Sequence, residues 1–186
     1  MIEIVCYMGG TCGDLISAII DHRDCQFKGK KMIHTDIRQR LKKPHQFPTT
    51  KDKDDYLKQV ETDTDYRSIS SHDLPYHIDR KHSFIGIVCD DIKVALTAAH
   101  RFKNFHRPHV WDEMQLACGA STVADYAQMM LDFSNLVREH TSKTVKLESI
   151  MSGKILTELN NILSIPVDNR GSDVYQNWLV IQSGVG

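Results

Sequence analysis

No stretch of the 186-residue sequence approaches the roughly 18 consecutive apolar residues that a membrane-spanning helix requires, which excludes a transmembrane protein of the helical kind. The opening residues Met1-Ile2-Glu3-Ile4-Val5-Cys6 have neither a basic leader region nor a small-residue cleavage site. They are therefore expected to form a first strand of the folded protein and not a secretory leader. The five cysteines (Cys6, Cys12, Cys25, Cys89 and Cys118) are an odd number and contain no CxxC pair. That argues against a disulfide framework and a zinc knuckle, and for a reducing, cytoplasmic setting. Ten histidines are present, but the spacings His72–His77, His77–His82 and His106–His109 match no ligand pattern, so no metal is expected. Internal repeats and low-complexity tracts are absent as well.

What is present is ordinary in bulk and uneven in detail. Apolar residues make up 41% and charged residues 25%, enough of each for one folded domain with a full core, expected to run over residues 1–186. Net charge is only −1, yet ten Lys/Arg face four Asp between Lys28 and Lys58, and six face two between Arg80 and His109. From Val110 onward the balance reverses, with five Lys/Arg against nine Asp/Glu. A fold that joins the two basic stretches gains a positive face suited to phosphate, sulfate or a polyanion; dispersed, they form a solvated surface.

Along the chain, a strand-like run from Ile2 to Tyr7 meets the turn Met8-Gly9-Gly10-Thr11-Cys12-Gly13-Asp14. Leu15 to Ile20 continue with helical character, and Asp14 is placed to cap that helix. Strand, glycine-rich turn and helix in succession indicate an α/β fold with a mainly parallel sheet and three layers. A second strand is expected within Phe27–His34, and a short basic helix over Asp36–Lys43. A polar surface excursion follows at residues 43–65, with one helix around Asp54–Val60. Further strands are expected at Tyr66–Ser70, Ser83–Cys89 and Thr144–Ile150. Helices are expected at Ile92–Phe102, Ser121–His140, Lys154–Leu163 and Asp173–Ile181.

Four features bear on chemistry. The turn Gly9-Gly10-Thr11-Cys12 lets backbone amides approach an anion beside a helix N-terminus, and Thr11 adds a hydroxyl donor. It lacks the Lys-Ser/Thr of a Walker A loop and is not GxGxxG, and such a turn also serves folds that bind nothing there. His72 stands where a parallel sheet exposes its C-terminal edge, the place from which a histidine can take a proton from a hydroxyl acceptor. Cys12, at a helix N-terminus, is a candidate for a lowered thiol pKa. The tract from His100 to His109 mixes cations with aromatics. That suits either single-stranded nucleic acid or an amphipathic helix end, and a nucleic-acid partner is not the expected one.

The order of these pieces resembles the P-loop-like sulfotransferases, which move a sulfuryl group from the nucleotide donor PAPS to a hydroxyl or amine. Met8-Gly9-Gly10-Thr11-Cys12 is similar to the family's Lys-Ser-Gly-Thr-Thr donor turn. Ser71-His72-Asp73-Leu74-Pro75 is similar to its Thr-His-Leu-Pro, with one residue inserted. Cys89-Asp90-Asp91 stands where the family has Arg-Asp-Pro, and Thr97 falls at its helical Ser. Val145 to Ile150, Ile155 to Leu163, Ser164-Ile165-Pro166 and a closing Tyr175 with Trp178 follow in the family's order.

The resemblance implies a P-loop-like, nucleotide-kinase-like fold with PAPS as donor substrate and no metal. It implies His72 as the base, with Gly9, Gly10, Thr11 and Cys12 around the phosphosulfate and Thr97 at the 3′-phosphate. It further implies tighter binding of 3′,5′-ADP than of AMP. The acceptor it leaves open is a small-molecule or macromolecular hydroxyl or amine. Two residues depart from the pattern: Met8 replaces the donor-turn Lys and Cys89 replaces the 3′-phosphate Arg. Each removes a charge-assisted contact worth about 1.5–3 kcal/mol. Arg101, Lys103, Arg107 or the Lys28–Lys31 cluster are the cations able to substitute. The alternative is a catalytically degenerate descendant whose fold serves as a binding or assembly surface for a protein partner. A phosphoryl-transfer enzyme is disfavoured by the missing Lys-Ser/Thr.

Overall fold

Four short strands pair side by side, the two inner ones apolar runs and the two outer ones mixed (Ser68–Ser71 and Thr144–Lys146), with both faces covered as an all-parallel sheet requires. The computed structural model describes residues 3–21, 26–28, 31–33, 58, 62, 67–72, 83–105, 111–112 and 119–183. In it, β1 (Glu3–Cys6) is followed by α1 (Gly13–Asp21) and by β2 (Gln26–Lys28) with β3 (Lys31–Ile33). Next come β4 (Ser68–Ser71), β5 (Ser83–Val88), α2 (Ile92–Phe105) and α3 (Val123–His140). The chain closes with β6 (Thr144–Lys146), α4 (Leu147–Ser152), α5 (Ile155–Ile162) and α6 (Asn169–Ser183). The main sheet has the order β4-β1-β5-β6 and every pairing in it is parallel.

Register decides which helix covers which face. Val5 lies level with Ser70 and with Ile85, and Cys6 with Ser71 and Gly86. The first of these rows faces α1: Ser70 donates to Asp14, Ser17 and Ser68 hydroxyls meet at 2.9 Å, and Asp21 Oδ1 accepts from the amides of Arg67 and Ser68 at 2.7 and 2.6 Å. The second row faces α3, where a Cβ on Gly86 would lie 1.9 Å from Val137 Cγ1. Helices on both faces make three layers. Ile16, Ile19, Ile85, Tyr126, Met130 and Tyr175 are among the largest side chains of the buried core. Burying each such aliphatic side chain is worth about 1.5–3 kcal/mol.

Helix ends follow from local sequence. Thr122 and Asp125 form a reciprocal capping box, the threonine hydroxyl accepting from Asp125 N and the carboxylate from Thr122 N, which fixes the start of α3. Two expectations are corrected. The strand within Phe27–His34 is an antiparallel pair, β2 with β3, in a separate two-stranded sheet. The alternation from Thr144 to Ile150 continues as strand only to Lys146; from Leu147 the chain is helical, with Leu147 and Ile150 buried one turn apart. The basic helix at Asp36–Lys43 lies outside the described residues. So does the excursion at 43–65, except for Lys58 and Thr62, both helical and exposed. Among the described residues no helix is long and apolar enough to cross a membrane.

Candidate functional site

The strand order places a topological switch at β1 and β5. After β1 the sheet grows toward β4, and after β5 it grows toward β6. Loops diverge there at the C-terminal edge and leave a crevice, the usual place for a ligand in an open α/β sheet. A cleft of about 200 Å³ lies at this edge, lined by Gly10 and Cys12 from the β1–α1 turn and by Leu147 and Met151 from α4. Lys93, Val94, Thr97, Ala98 and Arg101 of α2 complete it. Lys93, Thr97 and Arg101 are spaced i, i+4, i+8, so all three lie on the one helical face that lines the cleft.

Arg101 is held without being neutralised. The Arg101 guanidinium donates to Met151 Sδ at 3.3 Å and to Gln182 Oε1, and stacks over Trp178 at 5.8 Å. Neither Arg101 nor Lys93 pairs with a carboxylate among the described residues. On the other side of the cleft, the backbone amides of Gly10 and Cys12 make no hydrogen bond among the described residues. Gly10 (φ 89°) and Cys12 (φ 64°) both adopt the left-handed conformation. For a cysteine that conformation is strained, and it is held by the packing around it.

The bend itself is tightly built. A Cβ on Gly9 would lie 2.8 Å from the Tyr126 hydroxyl, one on Gly10 2.9 Å from Phe102 Cβ, and one on Gly13 2.1 Å from Tyr7 Cγ. Tyr126 donates to the Gly9 carbonyl at 3.1 Å. Thr11 is buried, and its hydroxyl closes the turn on the Met8 carbonyl at 2.7 Å. Met8 packs against the core as an apolar side chain. Thus, of the residues singled out in the sequence, Gly10, Cys12 and Thr97 line the cleft, whereas Gly9, Thr11 and His72 are not among its lining residues.

His72 follows β4 and lies beside Tyr7, which follows β1. Its Nδ1 is 3.0 Å from the Tyr7 carbonyl, and the two rings stack with centroids 4.3 Å apart. An Nδ1–H donated to that carbonyl makes Nε2 the basic nitrogen of the ring. The expectation for Cys12 is reversed: burial pushes its thiol up from 9.0 to about 11, against the lowering influence of Arg101. It is a half-buried wall of the cleft and stays protonated at neutral pH.

The β5–α2 loop differs from the bend in that its polar groups are satisfied. Glu148 Oε1 accepts from the amides of Asp90 and Asp91 at 2.9 and 3.0 Å and from the Cys89 thiol at 3.3 Å. Burial, reinforced by the Glu148 charge, pushes that thiol to about 12 in spite of its bond to the Asp91 carbonyl. Asp91 caps α2, accepting from Lys93 N at 2.8 Å, and the Thr97 hydroxyl donates to the Lys93 carbonyl at 2.8 Å. Asp90 pairs with Arg138 and Lys146, which together hold its carboxyl below the ordinary range although partial burial opposes them.

Lys93 and Glu148 were missed as site residues. The i, i+4, i+8 spacing of Lys93, Thr97 and Arg101 was the available signal for the first; nothing local marks the second. Comparison of the chain with protein-family models, with curated protein sequences and with solved structures gives no match.

Proposed function

We propose that this chain is a sulfotransferase-like protein whose cleft binds an anionic nucleotide donor of the PAPS class. The single observation that carries the reading is that Lys93, Thr97 and Arg101 of one helical face line the same cleft as Gly10 and Cys12, whose amides make no hydrogen bond among the described residues. Lys93 and Arg101 lie eight residues apart, about 12 Å along the helix axis. That separation suits a ligand with two anionic groups, and these cations take over from the lysine and arginine that Met8 and Cys89 replace. The apolar lining from Val94, Ala98, Leu147 and Met151 suits a nucleoside body between them.

In this reading His72 Nε2 takes the proton of the acceptor hydroxyl or amine as the acceptor atom bonds to sulfur. The bond between sulfur and the bridging phosphosulfate oxygen breaks, and 3′,5′-ADP leaves with the electron pair. Arg101 and the bend amides stabilise the charge that gathers on that leaving oxygen.

The test is calorimetric titration of the chain with PAPS and 3′,5′-ADP. Saturable binding that Arg101→Ala weakens about 10- to 100-fold supports the reading, since a charge-assisted contact is lost. Absence of binding by either nucleotide retires it. With PAPS bound, His72→Ala is expected to abolish turnover while leaving nucleotide affinity unchanged.

A second reading, a non-catalytic binding or assembly domain, is favoured by a different observation. Gly9, Gly10 and Gly13 are each demanded by internal packing, and the Thr11 hydroxyl is bonded inside the turn. The bend therefore has a structural reason to exist without a donor. Unchanged biological activity in His72→Ala is the result that would select this reading.

A further inference from the structure

We infer that Glu148 is the positioning residue for the second anion seat of the cleft, the end formed by Lys93 and Thr97. The inference rests on the donor-binding reading above and names which buried group makes that end selective. Glu148 follows the cleft residue Leu147 directly and lies on the same short helix as Met151, so it belongs to one wall. Its Oε1 reaches across to the opposite wall, accepting from Asp90 N, Asp91 N and the Cys89 thiol. Its Oε2 is buried and makes no hydrogen bond among the described residues, so one oxygen carries the whole connection.

From there the path is continuous. The Asp91 amide is fixed by Glu148, the Asp91 carboxylate fixes the Lys93 amide, and the Lys93 carbonyl receives the Thr97 hydroxyl. The Arg101 end is tied separately, through Met151 and Gln182. The two ends of the cleft are thus set by independent contacts, and loss of Glu148 acts on one of them.

Glu148 does not act as a simple repelling charge. Around it Arg138 and Lys146 pair with Asp90, and the bonded oxygen of Glu148 is already taken by two amides and a thiol. Its role is geometric: it holds the start of α2 at a fixed distance from α4.

The experiment is calorimetric titration of the full chain, wild type, Glu148→Ala and Glu148→Gln, with AMP and 3′,5′-ADP as probes, alongside thermal melting of each variant. In Glu148→Ala, 3′,5′-ADP is expected to lose about tenfold in affinity while AMP changes by less than about twofold, the size of effect seen when a supporting contact is removed. Glu148→Gln retains an oxygen acceptor and is expected to recover the 3′,5′-ADP affinity to within about threefold. If Glu148→Ala does not fold, Asp91→Ala breaks the next link in the path and carries the same selective loss. Equal losses for both probes overturn the inference, because the effect is then general loosening. A several-fold gain in 3′,5′-ADP affinity in Glu148→Gln also overturns it, because Glu148 is then a repelling charge. If the wild type binds neither probe, the donor-binding reading falls and this inference with it; if it binds both and Glu148→Ala changes neither, only this inference falls.

Discussion

The two loops that meet at the switch point are made rigid in opposite ways. The β1–α1 bend is held by shape: Gly9, Gly10 and Gly13 lie against Tyr126, Phe102 and Tyr7 with no room for a methyl group, while the amides of Gly10 and Cys12 stay unsatisfied among the described residues. The β5–α2 loop is held by hydrogen bonds, its amides taken by Glu148 and Asp91. Steric fixation leaves polar groups available to a ligand, whereas polar fixation consumes them. A crevice walled by one loop of each kind therefore has one side with backbone donors left over and one whose remaining donors are side chains.

The comparison can be broken by substitutions on either side. Gly13→Ala is expected to have the largest effect, about 3 kcal/mol or complete loss of folding, because the new methyl collides with the Tyr7 ring; urea denaturation measures it. Arg101→Ala follows, costing the nucleotide contact described above and about 1 kcal/mol of stability as its ties to Met151 and Gln182 are lost. On the polar side, Asp91→Ala removes the cap of α2 and is expected to cost about 1 kcal/mol. Arg138→Ala breaks a half-exposed pair with Asp90 and is expected to cost less than about 1 kcal/mol, vanishing at high salt. If Asp91→Ala proves costlier than Gly13→Ala, the division between the two kinds of loop is wrong.

Alkaline pH acts on both loops at once. The thiols of Cys12 and Cys89 are raised from 9.0 to about 11 and about 12 in the folded chain. The unfolded chain therefore releases these protons first, and the folded state binds more protons above pH 9. Stability is expected to be unaffected by these groups below that pH and to fall as pH rises through 9 toward 11. Denaturation midpoints at pH 8 and pH 10 check this, with Cys12→Ala and Cys89→Ala each expected to remove part of the slope.

Much of the scaffold was legible because its signals are local. The apolar runs of β1 and β5 and the three-to-four spacing across Tyr126, Met130 and Val137 mark their elements directly; α1 was legible too, but it begins at Gly13, so Asp14, read as its cap, lies inside the first turn and accepts from Ser70. The end of β6 was not, because Val145, Leu147 and Ile150 satisfy a strand period at first and a helical one afterwards, and only packing against α5 chooses. The candidate site was half legible. Gly10, Cys12 and Thr97 were found by motif order, and Arg101 was one of several cations able to serve. Which cation serves is a matter of helix phase relative to a distant turn, and that is fixed in three dimensions. The thiol of Cys12 was misjudged for the same reason: proximity to a helix N-terminus is visible in one dimension, and burial is not.

Cys12 alone among the described non-glycine residues has a positive φ, and it sits at the mouth of the crevice. Torsional tension of that sort is worth about 1–3 kcal/mol. Glycine at position 12 would relieve it and yield a chain harder to unfold, but with a slacker rim around the two open amides. Here firmness of the fold and sharpness of the rim are set against each other at one backbone angle.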